Sequence, residues 1–65
     1  MNAKIQQALK KKRWQKIDLE IITGLSHDVI NRALSGGKNS RTEMSVIASA
    51  LNEPVNELFT NWSKS

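Results

Sequence analysis

The sequence predicts an all-α single domain of five short helices. Three observations carry that expectation. Apolar residues recur at helical spacing, few segments alternate as strands do, and every helical stretch is bounded by a recognisable cap or breaker. A chain of 65 residues makes one domain, 1–65, and leaves no room for a second.

Ile5, Ala8 and Leu9 stand at i, i+3 and i+4 with Lys and Gln between them, which predicts an amphipathic helix over residues 2–12. Residues 17–23 form a second, short helix. It must end at Gly24, since glycine enters the left-handed region without a Cβ penalty. Ser26 stands where an N-cap opens a third helix, 27–35, closed by Gly36 and Gly37. Ser40-Arg41-Thr42-Glu43 matches a capping box, in which hydroxyl and carboxylate each satisfy a backbone donor of the first turn. A fourth helix, about 41–51, comes next with Met44, Ile47, Ala48 and Leu51 on one side. Pro54 fits the first position of a fifth, whose stripe is Val55, Leu58, Phe59 and Trp62.

Composition excludes several function classes. Cysteine is absent, which removes disulfides, thiolate metal sites and thiol catalysis, and fits a reducing cytoplasm. One histidine, His27, cannot build a zinc cage. The apolar runs fall far short of the roughly 18 residues that span a bilayer, and no charged-then-apolar leader opens the chain. Ser26-His27-Asp28 names the members of a catalytic triad, but neighbouring helical residues point ~100° apart and cannot form a relay. The expectation is a protein with no enzyme activity, cofactor, metal, membrane or small-molecule substrate.

Charge gives the first positive indication. The net charge is +4 and the pI near 9.9, with an uneven distribution. Residues 1–16 hold Lys4, Lys10, Lys11, Lys12, Arg13 and Lys16 and no acid, whereas Glu43, Glu53 and Glu57 face only Lys64 after residue 41. A basic front half suits a polyanion such as nucleic acid. Its bland reading is a set of solvated helix faces, and the Lys10–Arg13 run also complements the dipole at the end of the first helix.

Residues 16–35 read as helix, three-residue break (Gly24-Leu25-Ser26) and helix, the physical core of a helix-turn-helix. Gly24 reverses the chain, Leu25 fills the angle and Ser26 caps the second helix of the motif. Wound at ~100° per residue, that helix puts His27, Asp28, Asn31, Arg32 and Ser35 on one arc of roughly 140°. Val29, Ile30, Ala33 and Leu34 occupy the opposite arc. Hydrogen-bonding side chains of moderate length on one arc are suited to reading base edges in a major groove. Lys38, Asn39 and Arg41, at the start of the next helix, form a natural phosphate clamp with its backbone donors.

Lys16 through Gly36, Lys38 to Arg41, the Ile47-Ala48-Ser49-Ala50-Leu51 helix and Val55 to Phe59 resemble the lambda-repressor-like helix-turn-helix domain of phage Cro proteins and repressors. The resemblance covers residues 5–60, most specifically at Leu19, Gly24-Leu25-Ser26 and Ile30. Leu9-Lys10-Lys11 and Ala33-Leu34 are features shared with Ner-type phage regulators, so both subfamilies stay open. The resemblance implies a compact five-helix DNA-binding domain that acts as a homodimer on a near-palindromic operator. Lys16 replaces the family's usual Gln. Glu20 replaces a small residue, so it must turn outward or the motif helices must sit differently. Glu53 stands where an apolar residue is usual.

Within this motif His27, Asp28, Asn31 and Arg32 are the expected base contacts, and Lys16, Lys38, Asn39 and Arg41 the expected phosphate contacts. Asn31 and Arg32 have bidentate options with adenine and guanine. Asp28 reads equally as a helix-dipole partner or as an acceptor from cytosine. His27 has a solvated first-turn position as its bland alternative. Ile17, Ile21 and Ile22 make the second helix apolar around most of its circumference, so Trp14 and the C-terminal tail cover it or a partner does. Phe59 and Trp62 are the first candidates for a dimer contact, with core packing as the alternative. The function expected is a sequence-specific double-stranded DNA-binding repressor of phage or plasmid type, cytoplasmic in a bacterial host, forming a weak homodimer or pairing on DNA. The competing class is a protein-interaction module of the same fold, antitoxin-like or an antirepressor partner.

Overall fold

The serine caps and glycine stops that the sequence offers are used. The computed structural model describes residues 2–60 and Trp62, and among them it holds five helices and no strand. They are α1 (Ala3–Lys12), α2 (Lys16–Thr23), α3 (His27–Ser35), α4 (Arg41–Leu51) and α5 (Val55–Leu58). Lys64 lies outside the described residues.

Ser26 Oγ accepts the Val29 N–H at 3.3 Å and opens α3. In the Ser40–Glu43 capping box, Ser40 Oγ accepts the Glu43 N–H at 3.1 Å and Glu43 Oε1 the Ser40 N–H at 3.0 Å. A second capping box, Gln15 with Asp18, starts α2 one residue earlier than its apolar pattern predicts. Gly24 (φ 71°) and Gly36 (φ 86°) end α2 and α3 in the left-handed region.

Each helix turns one face inward. Ile5 of α1, Leu19 of α2, Ile30 of α3 and Met44, Ile47 and Leu51 of α4 are fully enclosed, and Leu58 and Phe59 close the bottom of the core. Burying one such side chain is worth about 1.5–3 kcal/mol. In a domain of this size the six are the main reason it folds.

Asn2 joins three elements. Its Oδ1 accepts the Ile5 N–H (3.1 Å), its Nδ2 donates to Leu58 O (2.8 Å) and its backbone N–H donates to Leu34 O (2.8 Å). This explains one departure from the sequence pattern. The stripe Val55, Leu58, Phe59, Trp62 predicts a helix through residue 62, but α5 ends at Leu58. In a continuing helix Leu58 O would accept the N–H of Trp62. Asn2 takes that carbonyl, Trp62 N–H turns to Phe59 O (3.1 Å), and Phe59 becomes extended (φ −125°, ψ 104°). Pro54, expected at the first helical position, sits instead at the N-cap with extended backbone (ψ 132°), outside the first turn.

Candidate nucleic-acid interface

The α2–α3 pair supplies the surface. Gly24 turns the chain, Leu25 N–H donates to Thr23 Oγ1 (3.2 Å), and Leu25 packs partly buried against the core. From that anchor α3 runs with Ile30 and Ala33 buried, Val29 and Leu34 half-buried, and His27, Asp28, Asn31, Arg32 and Ser35 all exposed. The five polar residues form one uninterrupted solvent face.

Three charged or ionisable groups meet at its leading edge. His27 Nδ1 lies 3.1 Å from Glu20 Oε2, and His27 Nε2 lies 3.3 Å from Lys16 Nζ. Lys16 Nζ is also 3.9 Å from Glu20 Oε2. A lysine ammonium only donates, so Nε2 accepts from it and Nδ1 carries the hydrogen that goes to the carboxylate. A neutral imidazole with its hydrogen on Nδ1 satisfies all three groups. Of the two alternatives for Glu20, the outward turn is not taken. Its side chain is 14% exposed and lies between the two helices, where it orients a 63%-exposed imidazole.

At the trailing edge, Gly37 lies against the stem of Arg32. Its N–H donates to Arg32 O at 2.8 Å, and a Cβ there would stand 2.8 Å from Arg32 Cγ. Glycine at 37 thus leaves room for the stem of the arginine side chain. Lys38 comes next, exposed.

Two residues expected to contact phosphate have partners within the fold. Asn39 is 9% exposed, and its Nδ2 donates to Val29 O and to Glu43 Oε1, both at 3.2 Å. Its side chain fastens the loop to α3 and is turned away from the surface where a phosphate would lie. Its Oδ1 is buried without a hydrogen-bond donor. Arg41 holds its guanidinium 4.0 Å from the centroid of the Trp62 ring and donates from Nη1 to Trp62 O at 3.1 Å. It fastens the segment after α5 to the start of α4.

Glu43 receives the Ser40 N–H and the Asn39 amide, with Arg32 nearby. Chiefly through the Ser40 hydrogen bond, its carboxyl is held below the ordinary glutamate value despite partial burial. Both aromatics named as dimer candidates lie against the core. Phe59 is 5% exposed and belongs to the core; Trp62 is half-buried against it. The surface pair their spacing suggested does not exist, because the chain leaves helical geometry between them. Ile17, Ile21 and Ile22 do remain in solvent, and Trp14 does not cover them.

No family model, curated protein or solved structure matches this chain significantly. Among the described residues, no helix is long and apolar enough to cross a membrane, and no three His, Asp or Glu side chains sit together as a metal site.

Sequence reasoning missed the joining role of Asn2 and the carboxylate beneath His27. The first had a signal, an Asn one residue before a helical pattern. The second had only a partial one. Lys16 and Glu20 are an i, i+4 pair, but the approach of His27 depends on the angle between α2 and α3.

Proposed function

We propose that this chain is a sequence-specific double-stranded DNA-binding regulator of the lambda-repressor-like helix-turn-helix type. It would occupy an operator and block transcription, without catalysis or cofactor. The observation that carries the reading is the solvent face of α3. Five hydrogen-bonding side chains stand on it in one arc, behind a glycine turn, on a helix whose other arc is packed into the core.

In this reading α3 enters the major groove. Asn31 and Arg32 approach base edges with bidentate geometry available to them, and His27 and Asp28 read from the first turn. Lys16 and Lys38 hold phosphates on either side, and the N–H groups at the start of α4 add to the second contact. A helix of nine residues is roughly 13 Å long, and the domain measures 30 Å along its longest axis. One copy thus covers one half-site, and a near-palindromic operator takes two, spaced by about 34 Å.

Selection of binding sites from random duplex DNA tests the reading, followed by titration of the selected duplex against a scrambled one. Arg32→Ala is expected to cost about 1–3 kcal/mol on the selected duplex and to relax preference at one base position. Lys38→Ala is expected to weaken binding to both duplexes equally and shallow the salt slope by about one phosphate. No enrichment, with no salt-dependent binding, would return the chain to the protein-interaction class, which the exposed isoleucines of α2 favour.

A further inference from the structure

Three ionisable side chains meet between α2 and the first turn of α3. Lys16 Nζ stands 3.3 Å from His27 Nε2, and Glu20 Oε2 stands 3.1 Å from His27 Nδ1. We infer that this trio is a proton-operated switch, in which one proton taken up at His27 Nε2 expels Lys16 and frees its ammonium for a phosphate group. That the phosphate belongs to DNA rests on the reading proposed above; the switch itself is a property of the free chain.

The first argument is the count of donors and acceptors. A lysine ammonium has three donors and no acceptor, so it holds Nε2 only while that nitrogen keeps a free lone pair. Nδ1 already donates to Glu20, which leaves Nε2 as the nitrogen that an incoming proton must take. An Nε2–H would face an ammonium 3.3 Å away, donor against donor and charge against charge. The ring can hold the proton or the lysine, and not both. The second argument is which partner leaves. The Glu20 side chain is 14% exposed and lies between the helices, and its hydrogen bond strengthens once the ring is charged. Lys16 is 30% exposed on a flexible stem, and it is the one that swings out. Glu20 offsets the new charge on the ring, so the surface gains one released lysine.

The surroundings leave the ring to this pair. Lys16 and Glu20 face it from α2, Asp28 follows it on α3, and among the described residues no charged side chain of α1, α4 or α5 pairs with it. His27 is the single histidine of a chain without cysteine, and histidine is the side chain whose charge ordinarily changes between pH 5 and 8. At 63% exposed, the ring exchanges protons freely with solvent. Binding to a polyanion should therefore strengthen as the pH falls from 8 to 5.5. The linked uptake of one proton sets an upper limit of about tenfold per pH unit.

Nitrogen-15 NMR of the free chain over that range reads the switch without DNA. The neutral ring should carry its hydrogen on Nδ1, and the side-chain signals of Lys16 should move along the same curve as those of the His27 ring. Titrations of a random duplex at several salt concentrations then read the released lysine. The parent's salt slope should be steeper at pH 5.5 than at pH 8 by about one phosphate. Lys16→Met and His27→Gln should each keep one slope at both pH values. A neutral ring with its hydrogen on Nε2, or Lys16 signals that ignore the ring, overturns the switch. A slope that steepens as much in Lys16→Met as in the parent overturns it too, since the ring charge alone would then act. Coupled NMR titration with no duplex binding at either pH bears out the switch and overturns the DNA reading instead.

Discussion

Glu20 Oε2 accepts from His27 Nδ1 at 3.1 Å, across the turn between α2 and α3. A carboxylate lies behind the first residue of the face that would read DNA, and Lys16 Nζ closes on the other ring nitrogen. While Lys16 donates to Nε2, the imidazole has no unsatisfied nitrogen for a base. In the proposed complex, a phosphate that drew Lys16 away would expose Nε2 as an acceptor, suited to the amino group of cytosine or adenine. If the chain binds DNA as proposed, backbone contact and base contact would be linked through this one side chain.

Substitutions at Glu20 should separate these effects. Glu20→Gln keeps an oxygen for the Nδ1 hydrogen and removes a negative charge near DNA. It should raise affinity for random duplex by about threefold at physiological salt and keep the preference at the base beside His27. Glu20→Ala should raise random-duplex affinity similarly but lose about 1 kcal/mol of that preference. Repeating site selection with each variant checks this. Equal preference in parent and Glu20→Ala protein would show that the carboxylate does not orient the ring.

The turn that brings the two residues together should tolerate only certain side chains. Gly24 has φ 71°, and a Cβ built there meets nothing within 4 Å. Any cost of substitution is therefore conformational and not steric. Gly24→Val should lose about 1–3 kcal/mol, roughly 5–20 °C in melting temperature. Gly24→Asn should lose much less, because asparagine enters the left-handed region readily. Equal melting temperatures for the two variants would contradict this account.

How much was legible in the sequence depends on the range of the interactions involved. Caps and breakers act within four residues, so Ser26, Gly24, Gly36 and the Ser40–Glu43 box could be read directly, and they set the end of α2, both bounds of α3 and the start of α4. The polar and apolar arcs of α3 were legible for the same reason. Phe59 and Trp62 were not, because the end of α5 is decided by Asn2, 56 positions away from Leu58. Asn39 looked like a surface residue in a polar loop. Only the packing of that loop on α3 shows that its amide answers the Val29 carbonyl. α1 and α4 end in left-handed Arg13 and Asn52 rather than glycine, so their stops carried a weaker local signal.

Glu43 should make the fold sensitive to acid. Its carboxyl is held below the ordinary value of 4.5, first by the Ser40 N–H and then by the Asn39 amide and Arg32, against the opposing effect of partial burial. A group depressed in the folded state adds stability that is fully present above its unfolded value. That stability disappears as pH falls through the folded value. Glu43→Gln retains an acceptor for the Ser40 N–H but cannot ionise. Its melting temperature should lie below the parent's at neutral pH, and the gap should close as the pH is lowered through the acid range. A gap that stays constant with pH would mean that the charge of Glu43 contributes nothing to the cap.

Arg41 and Trp62 should behave as a coupled pair. The guanidinium stands 4.0 Å from the ring centroid, and Nη1 donates to the Trp62 carbonyl. Trp62→Ala removes the ring but keeps that carbonyl, so a double-mutant cycle with Arg41→Ala reports the stacking contact. A partly covered cation–π pair is worth about 0.5–2 kcal/mol, and the two losses should fall short of additive by that amount. Binding to random duplex gives a second measurement. If Arg41 also meets a phosphate, Arg41→Ala shallows the salt slope by about one. Trp62→Ala, which leaves the guanidinium in place, does not. Additive melting losses would show that ring and guanidinium are neighbours without energetic coupling, and Trp62 would then hold its position through its contacts with the core alone.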